Sequence, residues 1–289
     1  MFENLNSPIQ KVDLFPFKQL FVKRDDLIDP YISGNKWRKL KYILKKAEEL
    51  NKTHLITFGG AFSNHLVATA ALASRIKFKT TAFVRGEEVT NQMLLLCKLY
   101  GMNLIFTDRE SYKNKTKLFD DYFANDKNAF FVDEGGACLE ATVGCAEIID
   151  ELEDTYDHIF CAAGTGTTAS GLLNGIQKHK FNTKLHIVPA LKGADFILDE
   201  MQKYSTVSDQ LVLHTDYHFG GYAKTTPELI EFIKDFVSET GILIDPVYTA
   251  KMFYAIKDLQ QKQIINKEDK ILAIHTGGLL GLFGMMNKF

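Results

Sequence analysis

The sequence has few of the features that mark secreted, membrane-spanning or nucleic-acid-binding proteins. Only four of its 289 residues are cysteine, and none forms a C-x-x-C pair or a zinc-ligand spacing, so no metal site is predicted. No apolar run reaches the roughly 18 residues that a membrane-spanning helix needs, so no membrane association is predicted. Lys and Arg total 34 against 36 for Asp and Glu, and this balance gives no support for a nucleic-acid partner.

The N-terminal segment and the cysteines indicate a cellular location. "MFENLNSPIQKVDLFPFKQLFVKRDD" has no uninterrupted apolar region, so no secretory signal is predicted. Free cysteines are among the most buried residues, and thiols outside an oxidising compartment stay reduced. We therefore predict a cytoplasmic protein with reduced, mostly buried thiols at Cys97, Cys138, Cys145 and Cys161.

The chain does contain a regular alternation of strand-like and helix-like segments. "HLITFGG" (54–60) is a short apolar run closed by two glycines, and "NHLVATAALASRI" follows with helical spacing. In the second half, "HIFCAAG" precedes "TTASGLLNGIQKHK", and "KILAIHTGG" is a final strand. This alternation is typical of mostly parallel sheets covered by helices. With 46% hydrophobic residues, an α/β chain of this length can form two domains or one large domain.

Residues 164–171, "GTGTTASG", follow a predicted strand and open a predicted helix. A helix N-terminus carries unpaired N–H groups, and glycines let the backbone close around an anion. The spacing also fits the G-x-G-x-x-A pattern of dinucleotide-binding proteins, but the expected acidic residue about 20 positions on is missing. The lysine of a triphosphate-binding loop is missing too. The segment therefore favours a single phosphate, with an unliganded turn as the alternative.

Other segments carry polar groups that could bind a small substrate. In "GGAFSNH" (59–65), Ser63 is a natural helix N-cap that could hold a carboxylate together with Asn64, and helix capping alone is the alternative. Tyr222 and Tyr248 could donate a proton or stack on a flat cofactor, or they could be buried filler. Thr276 follows the last strand, at the edge where ligands gather in open α/β sheets.

The stretch "YISGNKWRKLKYIL" (31–44) places four basic residues within positions 36–41, directly after a Gly-Asn pair. A single-phosphate loop, a carboxylate clamp and a lysine together suggest pyridoxal 5′-phosphate. That cofactor has one phosphate, and its aldehyde needs a lysine amine. Arg38 and Lys41 are expected to be solvated charges on a helix.

These segments resemble a known family. "KRDDL…SGNKWRKLKYIL", "GGAFSNH", "CAAGTGTTASG", "DPVYT" and "IHTGG" occur in that order. They are similar to the 1-aminocyclopropane-1-carboxylate deaminase / D-cysteine desulfhydrase family, which has the fold of the tryptophan synthase β subunit (fold type II). The likeness runs over most of the chain. It implies a pyridoxal 5′-phosphate cofactor, a small amino-acid substrate and a homodimer.

The resemblance implies roles for several residues in the first half of the chain. Lys36 would bind the cofactor aldehyde and then act as acid and base at the substrate, and Lys39 would reach the phosphate. Asn64 would contact the cofactor ring oxygen, while Ser63 and His65 would face the substrate carboxylate.

Roles in the second half follow in the same way. The phosphate would be held by backbone N–H groups of Gly164, Thr165, Gly166, Thr167 and Thr168. Tyr222 and Tyr248 would line the substrate side, and either Thr249 or Thr276 would meet the pyridine nitrogen. The implied catalytic residues are Lys36, Ser63, Tyr222 and Tyr248.

The fold type implies two open, twisted, mostly parallel α/β domains with the cofactor between them. The large domain would combine residues 1–44 and 150–289, and the small domain would span residues 45–149. The implied activity is a β-elimination like that of D-cysteine desulfhydrase, which gives pyruvate, ammonia and sulfide. Thr249 and Thr276 favour this activity, because in the cyclopropane deaminases those positions resemble Glu and Leu.

Three alternatives stay open. The chain could be a 1-aminocyclopropane-1-carboxylate deaminase, since "SNHLVA" and "FGGYAKTTPE" depart from the family pattern close to the substrate. An NAD-dependent oxidoreductase would depend on residues 164–169. A non-catalytic protein that binds an amino acid or pyridoxal phosphate would use the same pockets without turnover.

Overall fold

The computed structural model describes residues 6–14 and 16–289, which fold around two β-sheets. The larger sheet has six strands in the order β1-β2-β10-β7-β8-β9. β1 is antiparallel to β2, and the other neighbouring pairs are parallel. Its strands are β1 (Ile9–Leu14), β2 (Phe17–Lys23), β7 (His158–Ala163), β8 (Lys184–Pro189), β9 (Leu211–Leu213) and β10 (Ile271–Ile274).

The smaller sheet has four parallel strands in the order β5-β4-β3-β6. These are β3 (His54–Gly60), β4 (Lys79–Arg85), β5 (Asn103–Thr107) and β6 (Ala129–Val132). β3 buries Leu55, Ile56 and Phe58 completely. Such consecutive burial is the pattern of a parallel strand covered on both faces. The predicted α/β fold with mostly parallel sheets is confirmed.

Helices connect the strands of both sheets. Within the described residues they are α1 (Asn35–Glu49), α2 (Asn64–Arg75), α3 (Gln92–Leu99), α4 (Lys115–Phe123), α5 (Leu139–Asp150), α6 (Thr167–His179), α7 (Phe196–Gln202), α8 (Pro227–Thr240) and α9 (Thr249–Gln261). The last segment, Leu279–Lys288, is a 3-10 helix. Among the helices of residues 6–14 and 16–289, none is long and apolar enough to cross a membrane.

The larger sheet separates two hydrophobic clusters. Successive side chains of a strand point to opposite faces, so Phe160 of β7 packs in one cluster with Phe253 of α9. Its neighbour Ile159 packs in the other cluster with Leu172 of α6. Helices therefore cover both faces, and the loop at the carboxyl end of β7 begins on a rigid support.

A buried ionic network joins the N-terminal strands to α1 and α5. Arg38 is 2% exposed and donates to the two carboxylate oxygens of Asp25 at 3.0 and 2.9 Å. It also pairs with Glu151, which Lys23 contacts at 2.7 Å. The prediction that Arg38 is a solvated helix charge was therefore wrong, because sequence periodicity does not show a carboxylate partner from a distant segment. Lys41 is partly buried too and pairs with Glu147.

The positions of the two sheets along the chain can be compared with the expected domain boundaries. All strands of the smaller sheet lie between residues 54 and 132. The proposed boundary after residue 44 falls inside α1, which is continuous to Glu49. The two-domain division at residues 1–44 plus 150–289 and 45–149 stays a prediction. All four cysteines are free, and Cys97, Cys145 and Cys161 are buried as expected.

Candidate active site

A cavity of about 930 Å³ lies at the carboxyl ends of both sheets. Gly60, Arg85 and Glu134 line it from segments at or just after β3, β4 and β6, whereas Gly164 and Thr276 line it from the loops after β7 and β10. Ligands of open parallel sheets bind at this edge. The cavity is therefore the candidate active site.

Lys36 enters the cavity from the first turn of α1. The preceding Gly34 has a φ of +61°, a conformation that glycine adopts without steric cost. The Asn35 N–H donates to the Thr276 carbonyl at 3.2 Å, and the Asn35 side chain donates to Thr168 Oγ1 at 3.0 Å. These contacts fix the turn that carries Lys36 against the loops after β10 and β7.

The electrostatic surroundings of Lys36 favour its reactive form. Burial, followed by the positive charge of Lys39, lowers the Lys36 pKa from 10.5 to about 7. A neutral amine is the nucleophilic and basic form of lysine. A large share of Lys36 side chains is therefore uncharged near neutral pH, before any ligand binds.

Lys39 lies one helical turn further along α1 and is almost completely buried. Its Nζ donates to the Gly135 carbonyl at 3.1 Å, and burial lowers its pKa. An ammonium group has three N–H donors, and within residues 6–14 and 16–289 Lys39 Nζ donates only to Gly135. Two donors are therefore left for a group inside the cavity.

The glycine-rich loop runs from the end of β7 into α6. Gly166 caps α6 with a φ of +77°, and a Cβ atom there would lie 3.1 Å from Met201 Cγ. Among the residues that the structure describes, no acceptor is bonded to the N–H groups of Gly164, Thr165 or Gly166. All three residues line the cavity, and Gly166 is buried. Because these N–H groups are open to the cavity at the start of a helix, the loop is suited to bind an anion.

Not every threonine of this loop faces the cavity. Thr165 and Thr168 line it, whereas the Thr167 side chain is completely buried. The hydroxyl groups of Thr165 and Thr167 lie 3.1 Å apart. Thr167 can therefore contribute its backbone N–H, while its side chain supports Thr165.

Ser63, Asn64 and His65 all line the cavity at the start of α2. Ser63 caps the helix, and its Oγ accepts from the Leu66 N–H at 3.4 Å. Asn64 Nδ2 lies beside Gly278, where a Cβ atom would come within 3.1 Å of it. The amide of Asn64 is thus placed between α2 and the loop after β10.

The hydrogen bonds of Thr57 determine the protonation of His65. The Thr57 hydroxyl donates to the Val132 carbonyl at 2.9 Å, so it must accept from His65 Nε2–H at 2.8 Å. Burial, with the charges of Lys36 and Lys39, lowers the His65 pKa well below 6.5. His65 is therefore neutral, and its Nδ1 is a buried acceptor without a partner in the described residues.

This state bears on the predicted role of His65. A lone pair on Nδ1 repels a carboxylate oxygen, because both groups accept hydrogen bonds. The ring is thus poorly suited to bind the substrate carboxylate directly. The Ser63 hydroxyl and the backbone N–H groups at the start of α2 stay as the candidates for that contact.

Tyr222 and Tyr248 meet on the opposite side of the cavity, with ring centroids 6.1 Å apart. Asp245 fixes the turn that carries Tyr248, because its carboxylate accepts from the N–H groups of Val247 and Tyr248 at 2.9 and 3.0 Å. Burial raises the pKa of Tyr248 well above 10.0. Its phenol therefore stays protonated and acts as a donor at neutral pH.

The structure places the two candidate threonines differently. Thr276 lines the cavity. Thr249 is completely buried, and its hydroxyl lies 2.9 Å from Asp245 Oδ1, to which it donates. Among the two, only Thr276 is in a position to meet a ring in the cavity.

Some residues that shape the site did not stand out in the sequence. Asp245 lies within "DPVYT", and the proline after it could have indicated a capped turn. Thr57 lies inside a strand and acts only through His65. Asn35 follows the glycine of the Gly-Asn pair, and its bond to Thr168 depends on the folding of distant segments.

These groups fit pyridoxal 5′-phosphate. The unpaired N–H groups after β7 suit its phosphate, and the Lys36 amine suits its aldehyde. Thr276 lines the cavity and would offer a hydroxyl to the ring nitrogen, and the cavity has room for the cofactor together with a small substrate.

The chain belongs to the family described as pyridoxal-phosphate dependent enzymes, whose model matches residues 3–277. Within it, the chain is similar to the bifunctional D-cysteine desulfhydrase/1-aminocyclopropane-1-carboxylate deaminase of Arabidopsis thaliana mitochondria. The two are 30% identical over 93% of this chain and 75% of the relative. A Thermotoga maritima protein, whose name describes it provisionally as a 1-aminocyclopropane-1-carboxylate deaminase, is 33% identical over 93% of this chain and 91% of its own.

Solved structures agree with this assignment. The crystal structure of a 1-aminocyclopropane-1-carboxylate deaminase homologue has a TM-score of 0.84 and 28% identity, covering 99% of this chain and 93% of the homologue. A hydrogen sulfide-producing enzyme of Fusobacterium nucleatum shares the fold, with a TM-score of 0.70 and 18% identity over 96% of each chain. The expected family, fold type and cofactor are therefore confirmed, and the chain is a pyridoxal-phosphate dependent enzyme.

Proposed function

We propose that this enzyme is a deaminating lyase that removes a β-substituent from a small amino acid. The preferred substrate is D-cysteine, and the products are pyruvate, ammonia and sulfide. The observation that carries the proposal is the Lys36 amine, whose pKa is lowered to about 7 in a cavity that also contains two tyrosines. The name of the Arabidopsis relative, which includes D-cysteine desulfhydrase, supports the substrate.

When bound, pyridoxal phosphate would supply an aldehyde for the substrate amino group and a ring that withdraws electrons from Cα. The chain supplies the remaining groups. The N–H donors of the loop at Gly164 hold the phosphate, and the Ser63 loop holds the substrate carboxylate. These contacts orient the Cα–H bond toward Lys36.

Lys36 and the tyrosines act at different atoms of the substrate. The Lys36 amine, freed from the cofactor aldehyde when the substrate binds, accepts the Cα proton. Burial keeps the Tyr248 phenol protonated, so Tyr248 can donate a hydrogen bond to the departing thiolate, with Tyr222 beside it. Both tyrosines lie in turns, Tyr222 between β9 and α8 and Tyr248 directly before α9, whereas the carboxylate site belongs to the start of α2.

Thr276 influences the outcome of the reaction. A hydroxyl group leaves the pyridine nitrogen largely neutral, whereas a carboxylate would keep it protonated. A neutral ring would withdraw less electron density from Cα, which would favour prompt loss of the leaving group over transamination. Thr276 therefore favours elimination.

The second candidate function is 1-aminocyclopropane-1-carboxylate deamination, which gives 2-oxobutyrate. It is favoured by the Arabidopsis relative, whose name includes both activities. Membership of the enzyme family argues against the NAD-dependent oxidoreductase and the non-catalytic binding protein.

A substrate panel tests the proposal. The holoenzyme is incubated with D-cysteine, L-cysteine, D-serine and 1-aminocyclopropane-1-carboxylate, and pyruvate, 2-oxobutyrate and sulfide are measured. Pyruvate and sulfide in equal amounts from D-cysteine support the desulfhydrase, and 2-oxobutyrate supports the deaminase. Lys36→Ala is the matched control and should release neither a keto acid nor sulfide. Absence of keto acid from all four compounds would contradict the proposal.

We also propose a homodimer and a cytoplasmic location. The dimer is implied by the family resemblance, and the location is supported by the four free thiols. Sedimentation equilibrium of the purified protein measures the first, since a monomer mass at micromolar concentration would exclude a stable dimer.

A further inference from the structure

Lys251 is a completely buried lysine in the first turn of α9. Its Nζ donates to three backbone carbonyls, those of Ala190 at 3.1 Å, His218 at 2.8 Å and Gly221 at 2.8 Å. An ammonium group has three N–H donors, so each donor has an acceptor. Nothing is left for a substrate or cofactor.

This position is costly for a cation. The N-terminus of a helix carries partial positive charge and disfavours an ammonium group nearby, and burial of a charge costs free energy unless it is well hydrogen-bonded. Asp245 supplies the nearby negative charge. Burial lowers the pKa of Lys251 to about 8, so the ammonium form still predominates near neutral pH. A neutral apolar side chain would avoid these costs, which suggests that the charge has a use.

The three carbonyls come from two different segments. Ala190 follows directly after β8, whereas His218 and Gly221 belong to the turn that precedes Tyr222. That turn contains Gly220 and Gly221, with φ of +94° and +119°. Glycine has little intrinsic preference for one backbone conformation. The Lys251 ammonium therefore joins a conformationally free turn to the end of a rigid sheet.

The two active-site tyrosines are thus held by two buried charges. Asp245 accepts from the backbone of the Tyr248 turn, and Lys251 donates to the backbone of the Tyr222 turn. The two charged residues lie on either side of the start of α9. α9 can set the relative position of both phenols.

We propose that Lys251 is a positioning residue, whose ammonium group takes the place of a bound monovalent cation and holds the Tyr222 turn against the carboxyl end of β8. Backbone carbonyls that converge on one point are the ligands that K⁺ uses in proteins. Removal of the Lys251 side chain should leave three carbonyl oxygens that can bind a monovalent cation in place of the ammonium group. The inference depends on the proposed function only in the assignment of Tyr222 to the substrate side.

The experiment compares two substitutions in the holoenzyme. Lys251→Ala removes the ammonium and leaves space for a cation, whereas Lys251→Met fills the space with a neutral chain of similar length. In buffer with tetramethylammonium as the only cation, kcat of Lys251→Ala should fall about 10- to 100-fold, as expected for a displaced catalytic group. Addition of K⁺ or NH₄⁺ should restore most of it in Lys251→Ala but not in Lys251→Met.

Backbone hydrogen exchange provides a readout that needs no substrate. Peptides covering residues 216–224 should exchange faster in Lys251→Ala and become protected again with K⁺ or NH₄⁺. If the proposed reaction fails in the wild type, this measurement still tests the positioning role. Lys234→Ala removes an exposed lysine of α8 and should behave like the wild type.

Three outcomes would overturn the inference. Lys251→Ala could show wild-type kcat and exchange without K⁺ or NH₄⁺. It could be folded and impaired, with neither cation restoring protection or kcat. Both variants could fail to fold with bound cofactor, which would assign Lys251 to global stability rather than to the Tyr222 turn.

Discussion

Gly34 and Thr276 lie so close that a Cβ atom on residue 34 would come within 1.9 Å of the Thr276 carbonyl oxygen. Gly34 also has a φ of +61°, which side chains rarely adopt. The turn before Lys36 is thus packed directly on the loop after β10, which carries Thr276 into the cavity. One backbone contact sets the distance between the cofactor lysine and the candidate partner of the ring nitrogen.

Gly34→Ala should therefore lower the free energy of unfolding by more than backbone strain alone would. The comparison is Gly241→Ala, since Gly241 also has a positive φ of +68° but no atom within 4 Å of an added Cβ. Its ψ of 6° lies in the left-handed helical region, whereas the ψ of Gly34 is −132°. Gly241→Ala should lose about 1 kcal/mol of unfolding free energy, and Gly34→Ala about 2 kcal/mol more because of the collision and its less favourable backbone conformation. Urea unfolding measures both, and equal losses would contradict the close contact. Gly34→Ala should also bind less pyridoxal phosphate.

The Thr57 hydroxyl group should stabilise the protein through its hydrogen bonds to His65 and Val132. Thr57→Val keeps the shape but leaves the His65 Nε2–H and the Val132 carbonyl unpaired, which should cost about 1–3 kcal/mol. Thr57→Ser keeps the hydroxyl and loses one methyl group, at about 1 kcal/mol. The ring ¹⁵N shifts of His65 distinguish the two cases. In the serine variant they should match the wild type, and a changed tautomer there would contradict the hydrogen-bond assignment.

Neutral His65 should make the protein sensitive to acid. Its pKa in the folded state lies well below 6.5, so below pH 6.5 the unfolded chain binds a proton that the folded chain does not. Stability contributed by His65 is then lost as the pH falls below 6.5, with a slope approaching 1.4 kcal/mol per pH unit. Urea unfolding between pH 7.5 and about 5 should show a shallower loss in His65→Gln. Identical slopes would contradict a neutral His65.

Thr276 should control the ratio of elimination to transamination. Thr276→Asp places a carboxylate at the ring nitrogen and should increase the fraction of enzyme converted to pyridoxamine phosphate by its amino-acid substrate. Thr276→Ser keeps a hydroxyl and should stay close to the wild type. Chromatography of the released cofactor measures this fraction. Equal fractions in both variants would show that Thr276 does not meet the nitrogen.

The elements of this site were predictable where their signal is local. The loop at Gly164 combines glycines with a strand–helix junction, and the lysine at position 36 follows a Gly-Asn pair, so short segments indicate both. The burial of Arg38 and the role of Lys251 were not predictable in this way. Their partners, Glu151 and the Ala190 carbonyl, lie far away in the sequence, and a basic residue on a helix is usually solvated. Thr249 and Thr276 are distinguished by their surroundings, because Thr249 is buried against Asp245 at the start of α9 whereas Thr276 lines the cavity. Neither placement can be read from a short segment of sequence.

The most direct test of the account is the covalent attachment of the cofactor. The holoenzyme is treated with borohydride, digested, and its peptides are sequenced by mass spectrometry. A stable pyridoxyl group is expected on Lys36, with Lys39 and Lys251 unmodified. A pyridoxyl group on either of those lysines instead of Lys36, or on no lysine in protein that retains bound pyridoxal phosphate, would contradict this assignment.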